Sequence, residues 1–241
     1  MKWITGFFMA WGMFLSIPCP AKKWDESARA HMLCMLPVVG AMVGAVWVAV
    51  WYISRWWPDP VRALAMTVAP WLVTGFIHLD GYMDVCDAVL SRRDLATRQK
   101  ILKDSHCGAF AVIGMVLLAL AQWSFFDACS PHWGPVLAVP VAVRACAALA
   151  VLRLRPMVTS QYCVLSGKKT SITAFLLVLL VCAVVLPALF WGTWAPMAAA
   201  AAYALAVWFG FKQLDGMSGD ISGFALTLGE LAGVAVMTLA G

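Results

Sequence analysis

An all-α, polytopic transmembrane bundle is the fold class this sequence predicts, and three observations carry it. Hydrophobic residues make up 63% of the 241 positions and charged residues 12%, against about 45–50% apolar and about 25% charged in a soluble domain. The apolar residues gather in runs of membrane length with no strand-period alternation, so the spans are helices and not barrel strands. Lysine and arginine then concentrate in alternate connections, as the positive-inside rule requires of cytoplasmic loops. A net charge of +5 is ordinary for such loops and gives no reason to invoke nucleic acid. The chain, 1–241, is expected to form a single integral membrane domain.

At about 20 residues per span, about seven candidates follow in order: 31–53, 61–79, 109–127, 135–152, 172–191, 196–211 and 221–240. A shorter segment, 3–17, precedes them. It resembles a signal peptide, but Pro18-Cys19-Pro20 is a poor cleavage site, so it is expected to be retained, either spanning or, as preferred here, lying in the interface as an anchor. Alanine and glycine within several spans allow close helix packing in lipid. Trp56, Trp57, Trp133, Trp191 and Trp194 fall near the expected ends, where an aromatic belt belongs.

The basic residues orient these spans. Lys22, Lys23 and Arg29 precede the first; Arg92, Arg93, Arg98, Lys100 and Lys103 follow the second; Arg153, Arg155, Lys168 and Lys169 follow the fourth; Lys212 follows the sixth. The other connections hold only Arg55 and Arg62. This arrangement puts Asp80, Asp84, Asp87, Asp104, Asp215 and Asp220 on the cytoplasmic side. The eight cysteines show no C-x-x-C pair and no spacing that suits zinc.

Acidic residues number 12, and three of them, Asp80, Asp84 and Asp87, crowd into eight positions beside His78. On a helix they would lie at i, i+4 and i+7, within about 60° around the axis. Carboxylates near hydrocarbon need a partner, water or a cation. Three like charges on one stripe suit a hard divalent ion such as Mg²⁺, which commonly bridges carboxylates to substrate phosphates. The polar stretch 80–108, read as a loop, adds Lys103, Asp104 and His106; cations beside the acids would suit a phosphorylated substrate. Farther on, glycines surround Asp220 at the mouth of the last span, and Glu230 sits alone in an apolar run. Arg144, inside a span, is either an ion-pair partner for an acid or a ligand for a substrate phosphate. His78 reads equally as an interfacial histidine or a functional one. Arg92, Arg93, Arg98 and Lys100 serve as topology determinants, His31 and His132 as structural residues, and Asp25, Glu26, Asp59 and Asp127 as surface groups.

Gly75-Phe76-Ile77-His78-Leu79-Asp80-Gly81-x-x-Asp84-x-x-Asp87 resembles the hallmark of the cobalamin synthase (adenosylcobinamide-GDP ribazoletransferase) family. Phe14 to Pro20, Pro37-Val38-Val39-Gly40, Lys103-Asp104-Ser105-His106-x-Gly108, Arg144, and Gly219-Asp220 with Glu230 resemble further family elements, in the right order from residue 14 to 230. The chain departs from that pattern in having no arginine at Ser16-Ile17, and at Ala88, Ala111, Ser218 and Thr227.

The resemblance implies attack by α-ribazole or its 5′-phosphate on adenosylcobinamide-GDP, giving adenosylcobalamin or its phosphate and releasing GMP. It implies Mg²⁺ held by Asp80, Asp84, Asp87 and Asp220, with Asp80 also counted among the catalytic residues. His78, Asp104 or His106 would orient or deprotonate the hydroxyl, Lys103 and Arg144 would meet phosphate, and Glu230 would fix a basic group. It further implies the inner (cytoplasmic) membrane, with the site facing the cytoplasm, and leaves a homo-oligomer open. Two rival readings are a CDP-alcohol phosphotransferase, against which stands the missing Ala-Arg after Asp80-Gly81, and an ion-coupled secondary transporter, against which stand the absence of a repeat and the one-sided acids.

Overall fold

Proline and glycine decide how the apolar runs are cut into helices. The computed structural model describes residues 2–21, 23–129, 131–158 and 169–239; Lys22 and Lys168 of the basic connections, and residue 240 of the last expected span, lie outside these. The elements are α1 (Lys2–Phe14), a 3₁₀ turn (Glu26–Ala28), α2 (Arg29–Cys34), α3 (Leu36–Ser54), α4 (Asp59–Val73), α5 (Ile77–Leu90), α6 (Leu95–Ile101), α7 (Ala109–Ala128), α8 (Trp133–Arg153), α9 (Lys169–Trp191), α10 (Ala195–Leu214) and α11 (Gly219–Leu239). Among the described residues there is no strand, only a parallel bridge between Pro156 and Met217. Six helices (α3 and α7 to α11) are long and apolar enough to cross a membrane, and α4 with α5 makes a seventh if that bent pair is one span. The protein is an all-helical, multi-pass membrane protein.

Two expected spans are broken. The run 31–53 is cut at Met35, because Pro37 has no N–H to donate and takes its place in the first turn of α3. The run 61–79 stops at Val73, bends by 94° and resumes at Ile77. Pro70 cannot donate to the carbonyl of Met66; the indole Nε1 of buried Trp47 does so instead, at 2.7 Å. Gly75 and Phe76 then both adopt left-handed backbone, at φ +60° and +62°, which glycine accepts and a bulky residue resists.

The stretch 80–108 is not a loop either. α5 continues to Leu90, and Asp94 caps α6 by accepting from the Thr97 N–H at 3.0 Å. Arg98 and Gln99 of α6 donate to the carbonyls of Gln213 and Leu214, at 3.1 and 2.8 Å. The basic connection is thereby fastened to the end of α10. The N-terminal segment forms only 13 helical residues, about 20 Å, too short for a hydrocarbon core of about 30 Å.

Close backbone approaches set the packing. α3 meets α8 where a Cβ on Gly40 would lie 2.5 Å from the Pro140 carbonyl oxygen. α5 crosses α11 where a Cβ on Gly81 would lie 2.8 Å from the Cα of Asp220. Apolar side chains such as Val178, Val181 and Leu189 of α9 remain exposed, as a lipid-facing helix requires. At one end of the bundle Arg155 pairs with Asp215 at 2.6 Å; at the other, the rings of His132, Trp133 and Trp191 cluster with centroids 5.0–6.0 Å apart. Because only backbone faces Gly81, Gly81→Leu is expected to cost about 1–3 kcal/mol, measured by thermal unfolding in detergent. Gly12→Leu, where the nearest atom to a Cβ is the Cys19 Cβ at 3.7 Å, is expected to cost far less.

Candidate active site

The period of α5 places Asp80, Asp84 and Asp87 on successive turns of one face. α11 begins at Gly219 with Asp220 in its first turn, and the crossing at Gly81 carries that carboxylate to the α5 stripe. A second close approach, 3.3 Å from a Cβ on Gly223 to the His78 Cα, extends the contact. Asp84 consequently lies in the fields of Asp80, Asp220 and Asp87. Among the described residues none of the four acids forms an ion pair.

They are not equivalent. Asp87, expected as an ion ligand, spends both carboxylate oxygens on the N-terminus of α7, accepting from the Gly108 N–H at 2.6 Å and the Ala111 N–H at 2.9 Å. A carboxylate there satisfies orphan donors and the helix dipole. Asp80, Asp84 and Asp220 line the cavities as the remaining hard oxygen donors, Asp220 accepting from Ser218 Oγ at 3.3 Å. That donor chemistry fits a divalent cation. Among the described residues no three His, Cys, Asp or Glu side chains form a ready-made cage.

Two cavities meet at Asp80. The inner one, about 210 Å³, is lined by Phe14, Arg29, His78, Asp80, Arg144 and Asp220. The outer one, about 300 Å³, is lined by Asp80, Asp84, Asp87, Lys103, Asp104 and His106. Arg144 of α8 donates through Nη1 to Glu230 of α11 at 2.8 Å, with the two side chains 3% and 6% exposed. Of the two readings left open for Arg144, the ion pair is therefore present. Its Nε and Nη2 are buried without a hydrogen-bond partner among the described residues. His78 stacks parallel to Phe14, at 6.3 Å and 6°, and its carbonyl accepts from Thr227 Oγ1 at 3.4 Å. In the outer cavity His106 Nδ1 lies 2.6 Å from Asp104 Oδ1, and hydrogen bonds from the His106 side chain and backbone hold the Asp104 carboxyl below its usual range.

The family model described as "Cobalamin-5-phosphate synthase" matches residues 6–238. The chain belongs to the cobalamin-5-phosphate synthase family. Relatives named "Adenosylcobinamide-GDP ribazoletransferase" include one from Clostridium botulinum, 32% identical over 95% of each chain, and one from Lachnoclostridium phytofermentans, 29% identical over 100% of this chain and 96% of its own. One from Clostridium perfringens is 42% identical over 48% of this chain and 47% of its own. No solved structure matches.

Arg29, outside the motifs, and Phe14 and Ser16, inside the 14–20 element, complete this family member's site. Arg29, read from sequence as a topology charge, lines the inner cavity beside Arg144; its place among Lys22, Lys23 and Arg29 gave no sign of that. Phe14 covers His78, and Ser16 touches the elbow between α4 and α5, neither of them signalled by periodicity. The buried Arg144–Glu230 pair makes its own prediction. Glu230→Leu, which leaves a buried guanidinium without its counter-ion, is expected to cost about 3–5 kcal/mol, read by thermal unfolding in detergent. Arg144→Met combined with Glu230→Leu is expected to recover most of that loss.

Proposed function

We propose that this protein is an adenosylcobinamide-GDP ribazoletransferase that works with Mg²⁺ at the cytoplasmic face of the inner membrane. What carries the reading is the meeting of Asp80 and Asp84 from α5 with Asp220 from α11, between a cavity ending on Arg29 and Arg144 and one ending on Lys103. The relatives' shared name supplies the reaction. A ribose hydroxyl of α-ribazole or its 5′-phosphate attacks the cobinamide-linked phosphorus of the pyrophosphate. The new P–O bond forms as the bond to GMP breaks, and the hydroxyl loses its proton.

Asp80, Asp84 and Asp220 hold the Mg²⁺, which when bound neutralises pyrophosphate charge. Arg144, aimed by Glu230, and Arg29 take phosphate oxygens on the inner side, and Lys103 takes them on the outer side. His106 is the group placed to remove the hydroxyl proton. With Nδ1–H donated to Asp104, the other ring nitrogen, Nε2, is the basic one. His78, packed on Phe14, shapes the cavity wall and orients the acceptor. The basic residues Arg98, Arg155 and Lys212 on the same end of the bundle as the acids set that end in the cytoplasm.

Purified protein in detergent, given adenosylcobinamide-GDP, α-ribazole 5′-phosphate and Mg²⁺, is expected to release GMP and form the corrinoid product without sealed vesicles. Asp80→Asn or Asp84→Asn is expected to lower turnover about a thousandfold while the protein still inserts in the membrane. Turnover like that of the wild type in either variant would contradict the assignment. His106→Gln is expected to cost about a hundredfold.

A further inference from the structure

We infer that Ser16 is a positioning residue for this reaction: it fixes the elbow between α4 and α5 at the angle that aims His78 and Asp80 into the inner cavity. This presupposes the transferase reading above for its kinetic consequence, though not for its structural one.

A helix end leaves its last carbonyls without partners. At the end of α4 the chain itself closes most of them. The Pro70 carbonyl accepts from Thr74 N–H and Oγ1, at 3.2 and 2.9 Å. The carbonyls of Trp71 and Leu72 accept from the N–H groups of Phe76 and Gly75, at 2.9 and 3.1 Å. The Val73 carbonyl is met from far away in sequence, by the Ser16 N–H at 2.8 Å. The Ser16 hydroxyl lies 2.6 Å from the Leu72 oxygen and 3.1 Å from that of Val73, so its one proton spans both.

The elbow needs such a hold. Phe76 sits at φ +62°, and a non-glycine residue stays in that region only where its surroundings over-determine it. His78 and Asp80 are the second and fourth residues after the turn, so a change in the elbow angle displaces them before anything else. The same N-terminal segment lays Phe14 flat against His78. One short stretch, 14–16, thus grips both the bend and the histidine beyond it.

Ser16→Ala removes the hydroxyl and keeps the backbone bond to Val73 and the Gly75 bond to Leu72, so the helix end stays partnered. The test compares wild type, Ser16→Ala and Ser16→Thr in detergent, by GMP release and by amide hydrogen exchange. Ser16→Ala is expected to lower kcat about tenfold, with KM for both substrates within about twofold, and Ser16→Thr to restore kcat to within about threefold. Exchange in 74–80 is expected to quicken in Ser16→Ala while that of α8 and α11 does not. Unchanged kcat in Ser16→Ala, a loss that threonine does not restore, or faster exchange throughout the bundle would each overturn the inference. If the wild type releases no GMP, the transferase reading fails, and exchange at 74–80 alone decides whether Ser16 holds the elbow.

Discussion

Asp80, Asp84 and Asp220 repel one another, and they are together because the backbones of α5 and α11 cross at Gly81 with no side chain between them. With any larger residue at 81 the two helices would stand apart, and the carboxylates would each find water or a private partner. The rest of the site follows from this crossing. It carries the mouth of α11 to the α5 stripe and His78 against Gly223. It also divides the space around Asp80 into an inner cavity with guanidinium groups on its wall and an outer one with Lys103. Charge of opposite sign is held back from the acids themselves, an arrangement that suits the cation and phosphate proposed for the site.

The crossing is held from three sides. Trp47 takes the carbonyl that Pro70 leaves without a donor, which allows α4 to end and the chain to turn. Asp87 anchors the start of α7 to the far half of α5. Behind α11, Glu230 and Arg144 tie that helix to α8 in surroundings where neither charge would be tolerated alone. The pair fastens the two helices where Arg144 also lines the inner cavity.

Much of this was legible in the sequence. Hydropathy and the basic residues gave the helical class and nearly all the spans, and the i, i+4, i+7 spacing of Asp80, Asp84 and Asp87 gave the stripe. What escaped was direction and distant partnership. Pro70 and Gly75 were both in plain view inside 61–79, yet hydropathy is blind to a bend, so two helices at 94° read as one span. Polarity made 80–108 look like a loop, although α5 and α6 are helical within it and Asp94 is an ordinary cap. Arg29, Ser16 and the capping role of Asp87 depend on contacts with residues far along the chain, which no local pattern encodes. The glutamate alone at 230 and the arginine alone at 144 could each be suspected of needing a partner; that they were each other's needed the fold.

In the proposed site, acids on two helices far apart in sequence share one divalent ion with a diphosphate. Mn²⁺ binding to the purified protein, followed by electron paramagnetic resonance with inorganic pyrophosphate present, tests it most directly. The account predicts one tight class of sites that weakens at least about tenfold in Asp84→Asn and equally in Asp220→Asn, with the double substitution adding little. Binding that ignores either helix, or losses that simply add as for two separate sites, would contradict it.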